Sequence, residues 1–341
     1  MNLLGMSYEE VMKIDFNQPN YRNKQIFEGL HKQGIDYEKM SSLPLKLRKQ
    51  LAEQYPLPVV TLKEVFTSEL DDTRKLIYSL EDGHIVEVVL MHYHYGWTIC
   101  TPSQVGCAMG CGFCASTLDG KIRNLDRAEL LSIFYKSSAY IGEIGRVVLM
   151  GSGEPLDNYD EVLGYLRLLT DERGRNLSAR HITLSTCGLI DQIHSLANEN
   201  LPITLAISLH APNDRIRRKI MPIANKFPVN DLIKAGQYYQ DQTGRRVSME
   251  YTLIEGVNDS LSHAVELANK LKGRGFHVNL ISVNPLEERD YSSPLKNVVE
   301  QFKIELEARN INVTIRRELG NDISGSCGQL RNRHVKLEKR R

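Results

Sequence analysis

The chain has 341 residues, which is long enough to bury a full hydrophobic core and exceeds the usual size of one small domain. Its 43 Lys and Arg residues nearly balance its 42 Asp and Glu residues, so overall charge does not indicate a nucleic-acid partner. The N-terminus lacks a signal-peptide pattern, no apolar run approaches the length that spans a bilayer, and six cysteines are too few for a disulfide scaffold. We therefore expect a cytoplasmic protein without a membrane partner, in which clustered thiols indicate a metal site or catalysis.

Residues 1–75 have the pattern of a small helical domain. Ser7 and Glu10 stand at the spacing of a capping box, and apolar residues recur at helical spacing within Arg22–Lys32 and Leu45–Glu53. Positive and negative charges are nearly balanced there, and no residue suggests catalysis. We expect an accessory domain rather than a part of the active site.

Residues 76–92 predict a β-hairpin, because two apolar runs flank a turn at 81–83. Through residues 93–317, six β-branched runs alternate with helix-length amphipathic segments. Strand–helix units repeated in this way imply a parallel sheet. We predict an α/β fold built as a partial (βα)6-type TIM barrel, with an open doubly wound sheet as the alternative. The six runs are RVVLM (146–150), HITLST (181–186), PITLAISL (202–209), VSMEYTLI (247–254), HVNLISV (277–283) and NVTIRR (312–317).

Residues 318–341 form a C-terminal segment that ends in a basic tail. The tail, 331–341, carries six Lys and Arg residues against one Glu. Such a tail is either a solvated terminus or a contact to RNA phosphates, and the sequence favours neither reading.

Distinctive residues follow the predicted strands at the point where each strand ends. In a barrel of parallel strands the active site lies at this end, so we expect these residues to lie close together. They are Gly153, Glu154, Ser185, Ser208, Leu209, His210 and Asn284.

Cys107, Cys111 and Cys114 are spaced C-x3-C-x2-C in a glycine-rich loop. Iron–sulfur cubanes normally take four thiolates, one for each iron, so three thiolates leave one iron open to a further ligand. An open coordination position is what catalysis requires. The alternative is structural zinc, which needs a fourth Cys or His ligand. The candidates for that ligand are His92, His94 and Cys100.

A set of longer motifs surrounds these cysteines. The cysteine loop followed by Gly-Glu at a strand end resembles the radical S-adenosylmethionine enzymes. The whole set is similar to the RlmN/Cfr family of radical S-adenosylmethionine RNA methyltransferases, over nearly the whole chain. Gly-Glu-Pro-Leu at 153–156 and Ala211-Pro212 are closer to the RlmN group, which methylates adenine C2, than to the Cfr group, which methylates adenine C8. The motifs are SQVGCAMGCGFCAS, GSGEPLDNYDEV, ARHITLSTCG, LAISLHAPND, KIMPIANKFP, EYTLIEGVNDS, HVNLISVNP and CGQLR.

The resemblance implies that residues 93–317 form a radical S-adenosylmethionine core. It implies a [4Fe-4S] cluster bound by Cys107, Cys111 and Cys114, whose open iron binds S-adenosylmethionine. It also implies cofactor contacts from the strand-end residues, with Gly153 and Glu154 at the methionine end. The other implied contacts are Ser185, Ser208, Leu209, His210 and Asn284.

The resemblance further assigns two isolated cysteines and one glutamate to catalysis. Cys327 takes a methyl group from a first S-adenosylmethionine, and the 5′-deoxyadenosyl radical from a second molecule then activates that methyl group for addition to adenine. Cys100 resolves the resulting RNA adduct by forming a disulfide with Cys327. Glu87 competes with Cys100 for the role of proton acceptor, and as a lone charge in a strand it is equally a candidate for a solvent-facing residue.

The implied function is methylation of adenine C2 in 23S rRNA at the peptidyl transferase centre, and also in tRNA. The family resemblance implies a monomer that receives electrons from flavodoxin or ferredoxin. Residues 1–75 and the basic tail are candidates for holding the RNA through its phosphates. Two alternatives stay open, namely a Cfr-like C8 methyltransferase that confers antibiotic resistance and a non-catalytic, zinc-stabilised RNA-binding protein.

Five residues near the motifs depart from the family pattern, which leaves a shifted RNA target open. Cys187 also stands where the family often has an apolar residue, and we interpret it as part of the core. The five departures are Ser116, Thr117, Ser152, Gly325 and Ser326.

Overall fold

The computed structural model describes residues 2–330, so the basic tail lies outside the described residues. The helices of the described part are α1 Tyr8–Met12, α2 Tyr21–His31, α3 Leu45–Gln54, α4 Arg127–Ile141, α5 Tyr159–Thr170, α6 Ile190–Ala197, α7 Asp214–Ile220, α8 Val229–Thr243, α9 Leu261–Leu271 and α10 Lys296–Glu307. The strands are β1 Thr61–Thr67, β2 Arg74–Ser79, β3 Ile85–Tyr93, β4 Gly96–Cys100, β5 Gln104–Gly106, β6 Lys121–Asn124, β7 Ile144–Leu149, β8 Ile182–Thr186, β9 Thr204–Ser208, β10 Val247–Leu253, β11 His277–Ser282 and β12 Asn312–Ile315.

One ten-stranded sheet organises the molecule, in the order β1-β2-β3-β4-β7-β8-β9-β10-β11-β12. In this sheet, strands β1 to β4 pair antiparallel and the strands from β4 to β12 pair parallel, while β5 and β6 form a separate antiparallel pair. The parallel strands follow one another in chain order without a reversal, so the doubly wound alternative is wrong. Because β1 and β12 remain the two edges, the sheet is an open barrel, which confirms the predicted partial TIM-type core.

The predicted strands of the core coincide with β7 to β12 because their β-branched runs are buried. Strand β10, for example, has only Ser248 partly exposed, while its other six residues are buried. Parallel strands covered by helices are buried on both faces and therefore read as nearly continuous apolar runs. The capping box predicted at Asp126 is present at the start of α4, where the Glu129 carboxylate accepts the Asp126 backbone N–H.

The first part of the chain differs from the sequence prediction in two respects. The capping box of Ser7 and Glu10 opens α1 as expected, but the segment 1–75 ends in strand β1 and the start of β2. The predicted hairpin of β2 and β3 is present, yet β3 also bonds to β4 and so belongs to the core sheet. Strand β1 escaped prediction because most of its residues are exposed at the sheet edge and give no apolar alternation.

The parallel arrangement places the loops after β4, β7, β8, β9 and β11 at one end of the barrel. This is the end at which barrels of this kind carry their active sites. No helix among residues 2–330 is both long enough and apolar enough to cross a membrane.

Candidate active site

A cavity with about 900 Å³ of empty space opens at the carboxyl ends of the parallel strands. Its wall includes the three cysteines of the C-x3-C-x2-C motif and a fourth, Cys327, from the C-terminal segment. Most of the predicted strand-end residues also line it, namely Gly153, Glu154, Ser185, Ser208, His210 and Asn284. The structure therefore brings together residues that are spread over most of the chain.

The cluster loop, which we define as residues 106–117, takes its shape from glycine. Gly106 and Gly110 have φ angles of +75° and +68°, a region that favours glycine. A side chain at Gly106 would place its Cβ 1.9 Å from the Gly120 carbonyl oxygen, so only glycine fits there. The loop is closed by Thr117, whose hydroxyl donates to the carbonyls of Cys111 at 3.0 Å and Cys114 at 2.9 Å.

The three thiols of this loop lie in a low-dielectric environment. Burial raises the pKa of Cys107 to about 12 and also raises the pKa values of Cys111 and Cys114. The thiols of Cys107 and Cys114 raise the pKa of Cys111 further, because neighbouring thiolates repel one another. Such thiols become thiolates when cationic iron compensates their charge, so this donor set fits an iron–sulfur cluster.

The three cysteines of the cluster loop line the same cavity but do not converge on a single point. Within residues 2–330, no three His, Cys, Asp or Glu side chains converge closely enough to hold one metal ion. A cubane does not require such convergence, because each thiolate binds a different iron. The three cysteines line one cavity, which is the arrangement that a cubane requires.

The histidines considered as zinc ligands lie in another part of the molecule. His92 packs against Trp97 with ring centroids 4.7 Å apart and pairs with Asp72 at 3.4 Å. His94 packs against Tyr95 at the turn between β3 and β4. Neither histidine lines the cavity that contains the cysteines.

Glu154 presents a buried carboxylate to the cavity. Its two oxygens accept the backbone N–H groups of Cys187 at 2.7 Å and Leu156 at 3.0 Å. Burial raises the pKa of Glu154, and these two N–H groups act in the opposite direction. Gly153 precedes it with φ of +103°, and a Cβ there would lie 2.7 Å from Gln104. A buried carboxylate suits an ammonium group, and the contact of Gly153 and Glu154 with the methionine end of the cofactor stays a prediction.

The ends of β8 and β9 supply further polar groups. Ser185 and Ser208 lie on neighbouring strands with their hydroxyl oxygens 3.5 Å apart. His210 is buried with φ of +54°, and its Nδ1 accepts the Thr252 backbone N–H at 2.9 Å. Burial and the Arg217 charge lower the pKa of His210 to about 3, so the ring is neutral at pH 7. A neutral ring whose Nδ1 is an acceptor carries its proton on Nε2.

Leu209 is the predicted cofactor contact that does not line the cavity. Its side chain is fully buried in the main hydrophobic core. Its two neighbours, Ser208 and His210, line the cavity instead. Only the backbone of Leu209 takes part in the site, because its carbonyl accepts from Arg217 at 3.0 Å.

Arg217 is a buried cation that the sequence analysis missed. It is 0% exposed and donates to the carbonyls of Cys187, Ser208, Leu209 and Phe227 at 2.6–3.2 Å. The first three of these carbonyls lie at the ends of β8 and β9, and that of Phe227 lies just before α8. Arg217 therefore holds the strand ends in place. The sequence signal for its burial was its place between the apolar residues Ile216 and Ile220 on one helix.

Cys327 is carried by a loop, residues 319–330, that we call the Cys327 loop. Asn284 donates to the Cys327 carbonyl at 2.9 Å, and the Gly328 carbonyl accepts the Ala115 N–H of the cluster loop at 2.7 Å. At the far end, the Gly320 N–H donates to Asp71 at 3.1 Å. Three separate regions of the chain thus hold this loop against the cavity.

The second isolated cysteine, Cys100, ends strand β4 and lies beside the cavity rather than in its wall. It packs with Val89, Met91 and Leu319. Burial raises its pKa to about 12, and the nearby Cys327 thiol acts in the same direction. The two thiols are therefore within electrostatic range of each other.

Glu87 is buried in β3, so the solvent-facing alternative is wrong. Val89 pairs with Cys100 across the β3–β4 ladder. Residues two apart point to the same face, so Glu87 lies on the face of Cys100, about 6–7 Å further along the strand.

Arg316, which the sequence analysis also missed, lines the cavity beside Cys327. Its Nη1 lies 3.8 Å from Glu250 Oε2 and contacts the Met150 sulfur at 3.4 Å. The pKa of Arg316 is raised first by the Cys327 thiol, against the effect of burial, and then by Glu250 and Cys100. The sequence signal for a buried cation was Glu250, a charged residue within an apolar strand, because a buried charge is usually paired with one of opposite sign.

The departures from the family pattern make hydrogen bonds that hold the two loops. Ser116 donates to the Leu330 carbonyl at 2.9 Å, and Ser326 donates to the Leu319 carbonyl at 2.9 Å. Ser152 reaches the Gly106 carbonyl at 3.5 Å. Gly325 donates to the Gly320 carbonyl at 2.8 Å. Cys187 is buried beside Cys111, as expected for a core residue, and it also lines the cavity.

Comparison with known proteins agrees with this geometry. Residues 101–278 match the model of the radical SAM superfamily. A protein of Lachnoclostridium phytofermentans named "probable dual-specificity RNA methyltransferase RlmN" is 49% identical over 97% of this chain and 94% of its own length. A Clostridium tetani protein of the same name is 46% identical over 98% of this chain and 97% of its own length.

A solved structure extends the match to the fold. The crystal structure of a radical SAM methyltransferase from Sphaerobacter thermophilus matches with a TM-score of 0.94 and 40% identity, over 97% of this chain and 99% of that chain. The radical SAM superfamily uses a [4Fe-4S] cluster and S-adenosylmethionine, and the three-thiol cavity fits both. The chain belongs to the radical S-adenosylmethionine superfamily and, within it, to the RlmN family of methyltransferases.

Proposed function

We propose that the protein methylates C2 of an adenine in RNA, with Cys327 as the methyl carrier. The substrates we propose are 23S rRNA at the peptidyl transferase centre and tRNA. The observation that carries this proposal is the presence of Cys327 in the wall of the cavity that the three cluster cysteines line. A thiol in that position can meet both a bound cofactor and an adenine that enters the cavity.

The residues of the chain hold the cofactors in defined positions. Cys107, Cys111 and Cys114 bind the cluster, while Glu154 and His210 contact S-adenosylmethionine. When bound, the cluster and S-adenosylmethionine supply the one-electron chemistry that activates a methyl group for attack on an electron-poor ring carbon. The two apolar cores beside the cavity limit the access of water to this chemistry.

Cys327 first accepts a methyl group through its sulfur, and a first S-adenosylmethionine becomes S-adenosylhomocysteine. This methyl group would lose one hydrogen atom to the adenosyl group of a second S-adenosylmethionine, and its carbon would then bond to adenine C2, which joins the RNA to Cys327. The unpaired electron left on the adduct would return to the cluster. Asn284, which holds the Cys327 carbonyl at 2.9 Å, keeps the sulfur directed toward the cavity. Asn284 thus has a positioning role in addition to any cofactor contact.

Release of the RNA requires a second thiol and a base. Cys100 attacks the sulfur of Cys327 to form a disulfide, which breaks the bond between that sulfur and the added carbon. The C2 proton goes to the base, and the released carbon takes up a proton and stays on adenine as the methyl group. Glu87 and Cys100 remain the two candidates for the base, and burial of both supports either role. The charge of Arg316 beside Cys327 stabilises the anionic form of whichever thiol is deprotonated.

The RNA itself must expose its target base. A base enters a cavity of this kind only after it has left its stack, so a loop or a flipped nucleotide is the expected substrate. We predict that helices α1 to α3 and the basic tail contact other parts of the RNA. The flavodoxin or ferredoxin electron donor and the monomeric state stay predictions.

The proposal is tested by mass spectrometry of rRNA and tRNA from cells that express the chain. We expect 2-methyladenosine from the unmodified protein and none from the Cys327→Ala variant. The purified variant keeps its iron and its ability to cleave S-adenosylmethionine, because the cluster cysteines are unchanged. A C8-methylated product would identify the Cfr-type reaction instead, and methylation by Cys327→Ala would contradict the proposed carrier.

A further inference from the structure

The turn between β3 and β4 carries a column of flat side chains outside the catalytic cavity. The rings of Tyr93 and Tyr95 stack with centroids 5.0 Å apart and planes at 12°. The Arg146 guanidinium lies over the Tyr95 ring, 4.4 Å from its centroid. A cation and two aromatic rings thus form one continuous stack.

One end of this column reaches the reactive part of the molecule. Tyr93 lines a smaller cavity, with about 430 Å³ of empty space, whose wall also includes Cys327, Arg316 and Arg317. The other end is the Arg146 guanidinium, and between the two ends Tyr95 is 47% exposed to solvent. The column therefore leads outward from the methyl-carrying cysteine to the protein surface.

The turn geometry does not account for an exposed aromatic ring at this position. His94 and Tyr95 do not have positive φ, and Gly96 after them supplies the one positive φ of the turn, at +105°. A turn of this kind accepts most side chains at its central positions, so it does not require an aromatic ring at 95. His92 and Trp97 already pack against each other across the ladder at 4.7 Å. Tyr95 consequently adds exposed aromatic surface that the hairpin does not need for its own folding.

We propose that Tyr93, Tyr95 and Arg146 form a stacking surface for the nucleotides that flank the target adenosine in single-stranded RNA. This inference rests on the proposed function, because it takes RNA as the substrate of the cavity. Bases of unpaired RNA stack on aromatic rings and on guanidinium planes, and they do so without sequence readout. The positive charges of Arg146 and Arg317 suit the phosphates of such a strand.

The experiment uses the full chain with its reconstituted cluster and a fluorescent RNA hairpin whose loop contains the target adenosine. Tyr95→Ala should raise the Kd about tenfold, since stacking on one aromatic side chain contributes an effect of that order. Tyr95→Phe should bind within twofold of the unmodified protein, because the ring remains. Tyr238→Ala, at a partly exposed tyrosine of α8 that packs against His194, is the matched control and should leave the Kd unchanged.

Salt dependence separates the ring from the cation. Arg146→Gln should weaken binding severalfold and reduce the slope of log K against log salt by about 0.7, the value for one phosphate contact on a single strand. Tyr95→Ala should leave that slope unchanged. Iron content and cleavage of S-adenosylmethionine without RNA should be the same in all four variants, which shows that the cofactor site is intact.

The outcomes distinguish this inference from the proposed function. If the unmodified protein methylates the RNA while Tyr95→Ala and Arg146→Gln bind it equally well, the stacking surface is overturned and the proposed function stands. If the unmodified protein neither binds nor methylates adenosine-containing RNA, the proposed function fails and the inference falls with it. If the variants slow reduction of the cluster by the electron-donor protein without changing RNA affinity, the surface binds that protein and the inference is overturned.

Discussion

Two loops meet at the cavity, and they are held in different ways. The cluster loop takes its shape from its own glycines and from Thr117, which bonds to two carbonyls within six residues. The Cys327 loop is held by Asn284, by Ser116 and by Asp71, which come from three distant regions of the chain. The cluster loop also has two distant partners, because its Gly112 and Ala115 N–H groups donate to the Ile220 and Gly328 carbonyls at 2.8 and 2.7 Å. The two loops therefore differ in degree, since the Cys327 loop has more partners that are distant in the chain.

This difference matches the proposed tasks of the two loops. A cluster requires ligands whose positions do not change, and a loop shaped by its own glycines and by Thr117 provides them at little cost in chain entropy. The proposed reaction requires Cys327 to meet a cofactor, a base and Cys100 in turn. A loop held by a few separate hydrogen bonds can release them one at a time, because each contributes only about 1 kcal/mol.

The largest expected effect is loss of the iron–sulfur cluster from the cluster loop. Cys111→Ala should leave two protein thiolates, which do not retain a cubane, so iron content and methyl transfer should both be lost. Iron analysis and absorbance after anaerobic reconstitution measure this. Cys187→Ala is the control, because Cys187 is buried beside Cys111 but is not a predicted ligand. Equal loss of iron from Cys187→Ala would contradict the assignment of the ligands.

The next effect tests whether the cluster loop is independent of the strand ends beneath it. Arg217→Met should lower the free energy of unfolding by about 3 kcal/mol or more, because it leaves four buried carbonyls without a donor. Denaturant unfolding measures the change, with the exposed Arg218→Met as control. Iron content below the unfolding transition should be unchanged. Loss of iron under those conditions would show that the loop depends on long-range support.

A smaller effect is expected at the anchor of Cys327. Asn284→Ala should leave the Cys327 carbonyl without its donor and so destabilise the closed loop by about 1–2 kcal/mol. Amide hydrogen exchange of residues 319–330 should become roughly five- to thirtyfold faster, while exchange of the cluster loop stays unchanged. Asn230→Ala, an exposed amide on α8, is the control. Unchanged exchange in 319–330 would show that Asn284 does not hold the loop.

The smallest effect compares two neighbouring hydroxyls of the cluster loop. Ser116 bonds to Leu330, whereas Thr117 bonds to carbonyls of its own loop. Ser116→Ala should speed hydrogen exchange in the Cys327 loop by about fivefold, since it removes one hydrogen bond of about 1 kcal/mol. Thr117→Ala should instead shorten the lifetime of the reconstituted cluster. The reverse pattern would mean that the two loops are not held separately.

Much of the fold could be predicted from the sequence because its signals are local. The β-branched runs from 146 to 317 and the amphipathic segments between them record the period of each element, and the strands β7 to β12 lie where those runs stand. Strand β1 could not be found, since an exposed edge strand has no apolar face. The hairpin of β2 and β3 could be found, but its union with the core sheet depends on pairing with β4.

The candidate site likewise combines features that depend on neighbouring residues with features that depend on distant ones. The sequence by itself determined the cysteine spacing, the glycines that shape the cluster loop and the strand-end position of Glu154, since each depends on residues close in the chain. Only the tertiary structure decided that Leu209 faces the core, that Arg217 binds the strand ends and that Arg316 lines the cavity. Contacts of this second kind join residues far apart in sequence. They depend on how the strands are ordered in the sheet, and no short stretch of sequence records that order.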